Sequence, residues 1–343
     1  MNRHSERVSP ADVSHIPVLL GEMLDVLSPH KQPDGAVYVD GTFGAGGYSR
    51  ALLEAADCAV IALDRDPSAH HAADILASQN PNRFQFIEGC FGDMLTHAQA
   101  AGYKAVNGVI LDLGVSSMQL DEAARGFSFR QDGPLDMRMS QSGQSAEDLL
   151  NEASPDLLAN IIAVYGEEYR AKAIARAIEK RRKQSRLTRT SQLVDIICKV
   201  LGAPRPKKNH PATRTFQALR IYLNDELGEL MRGLEAAEQL LAPEGRLLVV
   251  TFHSLEDRMV KRFIAHRTGR AGRTSRHLPE TEQAAPSFSC SLRKPLIAGA
   301  AELSANPRAR SAKLRIAERT HATPMIGDNF LPPRAPAQIG KGA

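Results

Sequence analysis

Three carboxylates, Asp40, Asp64 and Asp112, each stand at or near the end of a short apolar run. The first is followed at once by a loop with four glycines, Gly41, Gly44, Gly46 and Gly47. A glycine loop between an apolar strand and a helix is where an open parallel sheet holds a nucleotide-like cofactor. Two chemistries compete for such a place. A dinucleotide needs G-x-G-x-x-G, with helix amides facing a pyrophosphate. Counted from Gly44 the run is Gly-Ala-Gly-Gly-Tyr-Ser49, and from Gly41 it is Gly-Thr-Phe-Gly; neither frame completes the spacing. S-adenosylmethionine has no phosphate, but carries an ammonium, a sulfonium and a ribose. Three acids at strand ends suit that cation better than a dianion. In this reading Asp40 faces the ammonium side, Asp64 takes the ribose hydroxyls, and Asp112 lies near the sulfonium and the substrate.

The elements that must carry these acids are legible as strands alternating with helices. Ala36–Asp40, Ala59–Asp64, Phe84–Glu88 and Val109–Leu113 read as four strands, near-continuously apolar, as in a parallel sheet covered on both faces. Asp66-Pro67 opens a helix, with Asp as cap and Pro in the first turn. After Gln119 the alternation stops for some ninety residues. Residues 121–144 are rich in Gly, Asp, Ser and Met, and Ser154-Pro155 starts a helix. Leu193, Ile196, Ile197, Val200 and Leu201 share one helix face. A stretch this long is not a loop in a compact domain, so an inserted, mostly helical domain is expected. Leu219, Leu223, Leu227, Leu230, Leu234 and Leu241 then predict one long amphipathic helix. Pro243-Glu-Gly245 predicts a turn, Arg246–Phe252 a fifth strand, and Ser254-Leu-Glu-Asp257 a capping box headed by Ser254. Gly269–Ser289 reads as loop and Ala312–Ala317 as an edge strand. The division expected is 1–120, with 1–14 flexible; an insertion over 121–212; the resumed sheet over 213–322; and a disordered tail over 323–343.

Hydrophobic content of 43% and charged content of 24% are ordinary for a soluble globular chain. No apolar run reaches the length of a membrane span, and the polar N-terminus has no signal-peptide core. Cys58, Cys90, Cys198 and Cys290 form no CxxC pair, which points to neither a zinc site nor a disulfide framework, and to a reduced, cytoplasmic setting. The net charge of +4 matters less than its distribution. Nine of the twenty residues from Arg170 to Arg189 are Arg or Lys. Arg205, Lys207, Lys208, Arg214 and Arg220 make a second cluster, and Arg258, Lys261, Arg262, Arg267, Arg270, Arg273 and Arg276 a third. Three clusters in one chain favour a polyanionic partner.

Several longer blocks carry a resemblance. They are Asp40–Ser49, Asp64-Arg-Asp-Pro67, Leu111–Ser117, Arg125-Gly-Phe-Ser-Phe129 and Asp132–Met139, followed by His210–Gln217, Thr251–Arg258 and Asn306–Ser311. Together, and in this order from about His15 to Thr320, they resemble the bacterial small-subunit ribosomal RNA (cytosine-N4)-methyltransferases, the RsmH or MraW family. The resemblance implies an α/β fold: a Rossmann-like, seven-stranded methyltransferase sheet with an inserted helical domain for substrate recognition. It implies S-adenosylmethionine as donor, and as acceptor N4 of a cytidine in the decoding centre of 16S rRNA in the small ribosomal subunit. Carried over by motif position, the cofactor contacts are Gly46, Gly47, Tyr48, Asp64, Phe91, Asp112 and Gln119, with no metal. Tyr48 stands where the family usually has His, and Met118 where it usually has Pro.

Asp112, or a carbonyl just after it, is the candidate catalytic acceptor for the N4 protons. Cytosine's amine is a poor nucleophile because its lone pair is delocalised, and an acceptor on its protons helps it react. Phe127 and Phe129 are candidates to stack the unstacked base, and Arg170–Arg189 is the candidate RNA platform. His253 and Ser254 face the same crevice. A nicotinamide-dependent dehydrogenase competes, against the incomplete glycine spacing. So does a non-catalytic RNA-binding ribosome-assembly protein with a vestigial pocket.

Overall fold

All five predicted strands of the alternating pattern form in the computed structural model, which describes residues 17–206, 209–270 and 285–325. The flexible 1–14 expected from sequence, and the tail from residue 326 on, lie outside these residues. The strands are β1 (Ala36–Asp40), β2 (Cys58–Asp64), β3 (Phe84–Glu88), β4 (Val106–Asp112), β5 (Leu241–Thr251), β6 (Phe288–Ser289) and β7 (Lys313–Arg319). They make one seven-stranded sheet in the order β3-β2-β1-β4-β5-β7-β6. β1 to β5 pair in parallel, and β7 pairs antiparallel with both β5 and β6.

The sheet is covered on both faces, and the strand period of two sorts its side chains between two cores. Tyr38, Val60, Ala62, Ile110 and Leu248 go to one core. There they meet Met23, Leu52 and Leu76 of helices α1 (Leu20–Leu27), α2 (Gly47–Ala55) and α3 (His70–Gln79). Val37, Val39, Ile61, Leu63, Val109 and Leu111 go to the other. That second core is built with α4 (Met94–Ala100) and continues into the segment expected as an insertion. α5 (Ser117–Asp121) leads into it, and α6 (Ala146–Glu152), α7 (Pro155–Gly166), α8 (Ala171–Arg182) and α9 (Thr190–Leu201) follow within it. The chain returns through α10 (Thr213–Leu223), α11 (Glu226–Leu240), α12 (Ser254–Arg267) and α13 (Ala300–Ala305). α10 packs along α7 as well as next to α11, so one core runs across the sequence boundary at 212. Among the described residues no helix is long and apolar enough to cross a membrane.

Three expectations need correction. The leucine spacing of 219–241 spans two helices, broken at Asn224-Asp225, where Asp225 takes φ 49°. Asn224 satisfies the break: its side chain accepts from Met139 N (2.8 Å) and donates to Met137 O (2.8 Å), tying the helix pair to the 121–144 segment. The turn at 243–245 lies inside β5, whose pairing jumps from Val106↔Leu241 to Gly108↔Arg246. β7 is not the edge: two residues of β6 cover it, with Phe288 buried inside a stretch whose composition reads as loop.

Candidate active site

The chain leaves β1 towards β2 and β3, then returns to β4 on β1's other side. That reversal opens a crevice at the carboxyl ends of the strands, where open α/β sheets bind ligands. A cleft of about 810 Å³ lies there, walled by the glycine loop, the strand-end acids, residues 113–121 and part of α10 and α11. Of the seven predicted contacts, Gly47, Tyr48, Asp64, Phe91, Asp112 and Gln119 line it. Gly46 does not. It sits under the loop at φ 77°, where a Cβ would stand 2.6 Å from the Phe43 ring. At Gly47 a Cβ would stand 2.2 Å from Pro17 Cγ, so the segment before α1 closes directly onto the loop.

The three acids do different things. Asp40 is fully buried and does not line the cleft. It accepts from Ser49 Oγ at 2.7 Å and Thr42 N at 3.3 Å, fastening loop to helix, and burial pushes its carboxyl up to about 6. The expected ammonium-facing role is therefore wrong; the side chain turns inward because its hydrogen-bond partners lie within the loop and helix. Asp64 reaches the cleft with both oxygens braced, accepting from Gly44 N (2.7 Å) and Asp66 N (2.8 Å). Its carboxyl is raised by burial against the opposing pull of those amides. Asp112 is held through its own amide, which donates to Thr42 Oγ1 at 2.7 Å. Its Oδ1 is buried without a partner. Burial, helped by Asp40 and Glu256, raises this carboxyl to about 8 against the hydrogen bond from Tyr48.

The Tyr48 side chain is not silent. It is buried, its hydroxyl donates to Val18 O at 2.6 Å, and it lies 3.3 Å from Asp112 Oδ2. A phenol has one proton, and the shorter contact takes it. The 3.3 Å approach to Asp112 Oδ2 is thus the weaker of the two contacts of this hydroxyl. Tyr48→Phe leaves Val18 O without its donor and should cost about 1–3 kcal/mol of stability. Urea unfolding of the two proteins measures this; an unchanged midpoint would show the bond to be idle.

Gln119 lines the cleft, yet its amide is largely spent within the protein. Nε2 donates to Asp66 Oδ2 at 2.6 Å, and Oε1 accepts from Ser116 N at 2.9 Å in a capping box at the start of α5. Asp66 also receives Arg125 Nη1 at 2.8 Å, a buried ion pair that sequence reasoning missed. Arg125 lies 59 residues further along the chain, and nothing in local spacing joins the two. Phe91 opens a short turn and packs its ring onto Gly233 of α11, where a Cβ would come within 2.4 Å.

The far wall comes from α10–α12. Arg220 pairs with Glu226 through two contacts, 2.6 and 2.8 Å. Glu226, His253 and Glu256 have ligand atoms within 4.8 Å of one another, but the Arg220 guanidinium already supplies a fixed positive charge there. His253, not Ser254, caps α12. Its Nδ1 accepts from Glu256 N (3.4 Å), while Glu256 reaches back to Phe252 N (2.8 Å). Ser254 Oγ instead donates to Glu167 at the end of α7 (2.6 Å). The expected box is thus displaced by one residue, because a histidine nitrogen can replace the hydroxyl.

The comparisons with known proteins agree with this arrangement. A model of the MraW methylase family matches residues 12–320. Ribosomal RNA small subunit methyltransferase H of Parvibaculum lavamentivorans is 58% identical over 308 residues, 90% of each chain. The protein of that name from Methylobacterium nodulans is 56% identical over 310 residues, 90% of this chain and 91% of that one. That of Rhodopseudomonas palustris (strain ATCC BAA-98 / CGA009) is 53% identical over 315 residues, 92% and 93%.

The chain belongs to the MraW methylase family. S-adenosylmethionine is the methyl donor of the family, so the dehydrogenase reading falls. In this MraW methylase the charge clusters of the sequence do not all survive as surface. Arg220 lines the cleft, and Arg267 is fully buried against Glu238 at 2.6 Å. Arg182 donates to the carbonyls of Leu150 and Ala153 (2.9 and 2.7 Å), and Arg186 pairs with Glu147 (2.7 Å). Lys172, Arg176 and Lys180, four residues apart on α8, stay exposed. Lys207, Lys208, Arg273 and Arg276 lie outside the described residues. Phe127 is buried in the core, and Phe129 is stacked on His210 (ring centroids 4.6 Å apart), so the base-stacking role expected of them is not open to Phe127 and is occupied at Phe129.

Proposed function

We propose that this MraW methylase methylates N4 of a cytidine in the decoding centre of 16S rRNA, in the small ribosomal subunit and in the cytoplasm. The relatives' name supplies the ribosomal RNA of the small subunit. The observation that carries the base is Asp112 Oδ1, a buried, unpartnered acceptor on the wall of the cleft. An exocyclic amine of cytosine is the donor such a carboxylate reads.

The residues present suit the donor. Bound in this cleft, S-adenosylmethionine supplies a methyl group made electrophilic by its sulfonium. Asp64, Gly47, Tyr48, Phe91 and Gln119 would hold it, with Gly46 shaping the loop beneath. Asp64 carries free lone pairs for ribose hydroxyls, and the Phe91 ring offers an apolar face to an adenine. Asp112 accepts from the N4 amine, orients it and takes up the proton that must leave. Holding the reacting groups in line is worth up to about 7–11 kcal/mol of a displacement barrier. The target base must leave its stack to reach the cleft. Residues 121–212 serve as the substrate-recognition insertion, with the exposed cations of α8 towards the RNA.

Transfer of labelled methyl to small ribosomal subunits, followed by digestion to nucleosides, tests the reading. Label is expected in N4-methylcytidine. Label in another nucleoside would overturn the acceptor, and no label on any subunit preparation would overturn the activity.

A further inference from the structure

Five of the chain's six tyrosines are wholly or half buried: Tyr38, Tyr48, Tyr165 and Tyr222 fully, Tyr103 in part. Tyr169 is 86% exposed. It stands on the turn between α7 and α8, beside a surface concavity of about 860 Å³ that it lines together with Asp156, Asn160, Arg170, Lys172 and Arg176.

The charges around it are unequal in their freedom. Glu167 is spent on Ser254 Oγ (2.6 Å) and Arg258 (2.9 Å). Glu168 is buried, accepts the Arg170 amide at 3.0 Å and lies 4.0 Å from Arg214. Arg170, Lys172 and Arg176 make no ion pair among the described residues. Asp156 and Glu167 are the exposed acids of the concavity, and Asn160, one turn on from Asp156, offers both a donor and an acceptor. An exposed ring among uncommitted cations, with polar groups able to meet a base edge, is the composition of a single-strand nucleic-acid subsite. Its position fits as well. Glu167 fastens this turn to the first turn of α12, where Phe252 and Glu256 line the main cleft.

We propose that Tyr169 is a stacking platform for an unpaired RNA base flanking the methylated one, with Arg170, Lys172 and Arg176 taking the adjacent phosphates. This rests on the reading of RNA as the acceptor. A base displaced from its stack leaves neighbours that also lose partners, and a ring on the turn that Glu167 ties to α12 replaces one of them. Stacking needs only the face of the ring, so the hydroxyl is dispensable.

The test uses the full chain, with Tyr169→Ala, Tyr169→Phe and a triple Arg170→Gln, Lys172→Gln, Arg176→Gln variant. Binding of a fluorescent single-stranded oligoribonucleotide and of small ribosomal subunits is measured across a salt series, together with kcat and KM for methyl transfer. Loss of one stacked base should weaken binding by about 5- to 150-fold for Tyr169→Ala. KM should rise with kcat little changed, and Tyr169→Phe should bind as the parent does. The triple variant should lower the salt slope by about 0.7 for each phosphate of a single strand that it no longer neutralises. Tyr169→Ala binding and turning over like the parent would overturn the inference while leaving the acceptor reading intact. Equal weakening by Ala and Phe would overturn stacking in favour of the hydroxyl. A parent protein that binds neither RNA nor subunits would overturn both readings together.

Discussion

Asp112→Asn should lower kcat/KM for methyl transfer by about 10²–10⁴-fold, the usual worth of a positioned proton acceptor. Asparagine keeps the shape and one acceptor oxygen, and loses the capacity to take the proton. Since kcat/KM reports the free enzyme, the parent's profile should rise with pH through the Asp112 titration, near 8. The variant's profile should lack that step. Turnover at saturating cofactor separates the two roles open to Asp112. If it is unchanged while cofactor affinity falls, Asp112 holds the donor and does no proton chemistry.

The same substitution makes a stability prediction of opposite sign. Asp112 has a folded pKa raised above its unfolded value, which is about 3.9. Its contribution is fully favourable below the unfolded value and is lost as pH rises through the folded one. Between about pH 4 and pH 8 the unfolded chain ionises this group while the folded parent keeps it neutral, so the parent loses stability steadily as pH rises. Asparagine has no such loss, and its amide can donate towards the Tyr48 oxygen, which stands 3.3 Å from Oδ2 in the parent. Asp112→Asn should gain on the parent in urea midpoint as pH is raised over that window. A variant that is less active yet more stable at high pH cannot owe its inactivity to unfolding.

Much of this fold was legible because its signals are local. An apolar run ending in an acid marks β1, β2 and β4, and Asp66-Pro67 and Ser154-Pro155 mark helix starts that the structure keeps, with Ser154 accepting from Leu157 N. The sheet order behind the cleft follows once those strands are parallel. The misreadings are non-local. Asn224 breaks a helix whose leucine spacing continues unbroken, because its partners at 137 and 139 belong to another segment. Asp40 shares the strand-end position of Asp64 and Asp112, and it is the Ser49 hydroxyl and the Thr42 amide that turn it inward. Arg182 and Lys172 look alike in a basic run; the first is used up by carbonyls of residues 150 and 153, the second faces water. Tyr169 carries no sequence signal, since exposure is a property of the packed α7–α8 turn.

Arg125→Met should destabilise the protein by about 3–5 kcal/mol, the cost of breaking a buried ion pair from one side. Arg125 and Asp66 have side chains 8% and 5% exposed, and their contact is 2.8 Å. Nη2 also donates to the carbonyls of Arg138 (2.9 Å) and Met139 (3.0 Å), so methionine would orphan two acceptors as well as the carboxylate. Against a total of about 5–15 kcal/mol this is a large fraction. Asp66 is desolvated, which alone would raise its carboxyl, but hydrogen bonds from Ser68, Gln119 and Arg125 outweigh burial and hold it below the usual range. A depressed carboxyl contributes stability above its unfolded value that is lost as pH falls through the folded one. The parent should therefore lose stability in acid more steeply than the methionine variant, and the gap in urea midpoint should narrow as pH falls below about 4. A gap independent of pH would assign the loss to packing alone. The pair also holds Met139, a residue of the cleft wall, against the strand-end segment carrying Asp64 and Asp66. Adding Asp66→Asn to Arg125→Met removes the stranded charge, so the double variant should be more stable than the sum of the two single losses predicts. Strict additivity would show that the two side chains, though in contact, do not act as a unit.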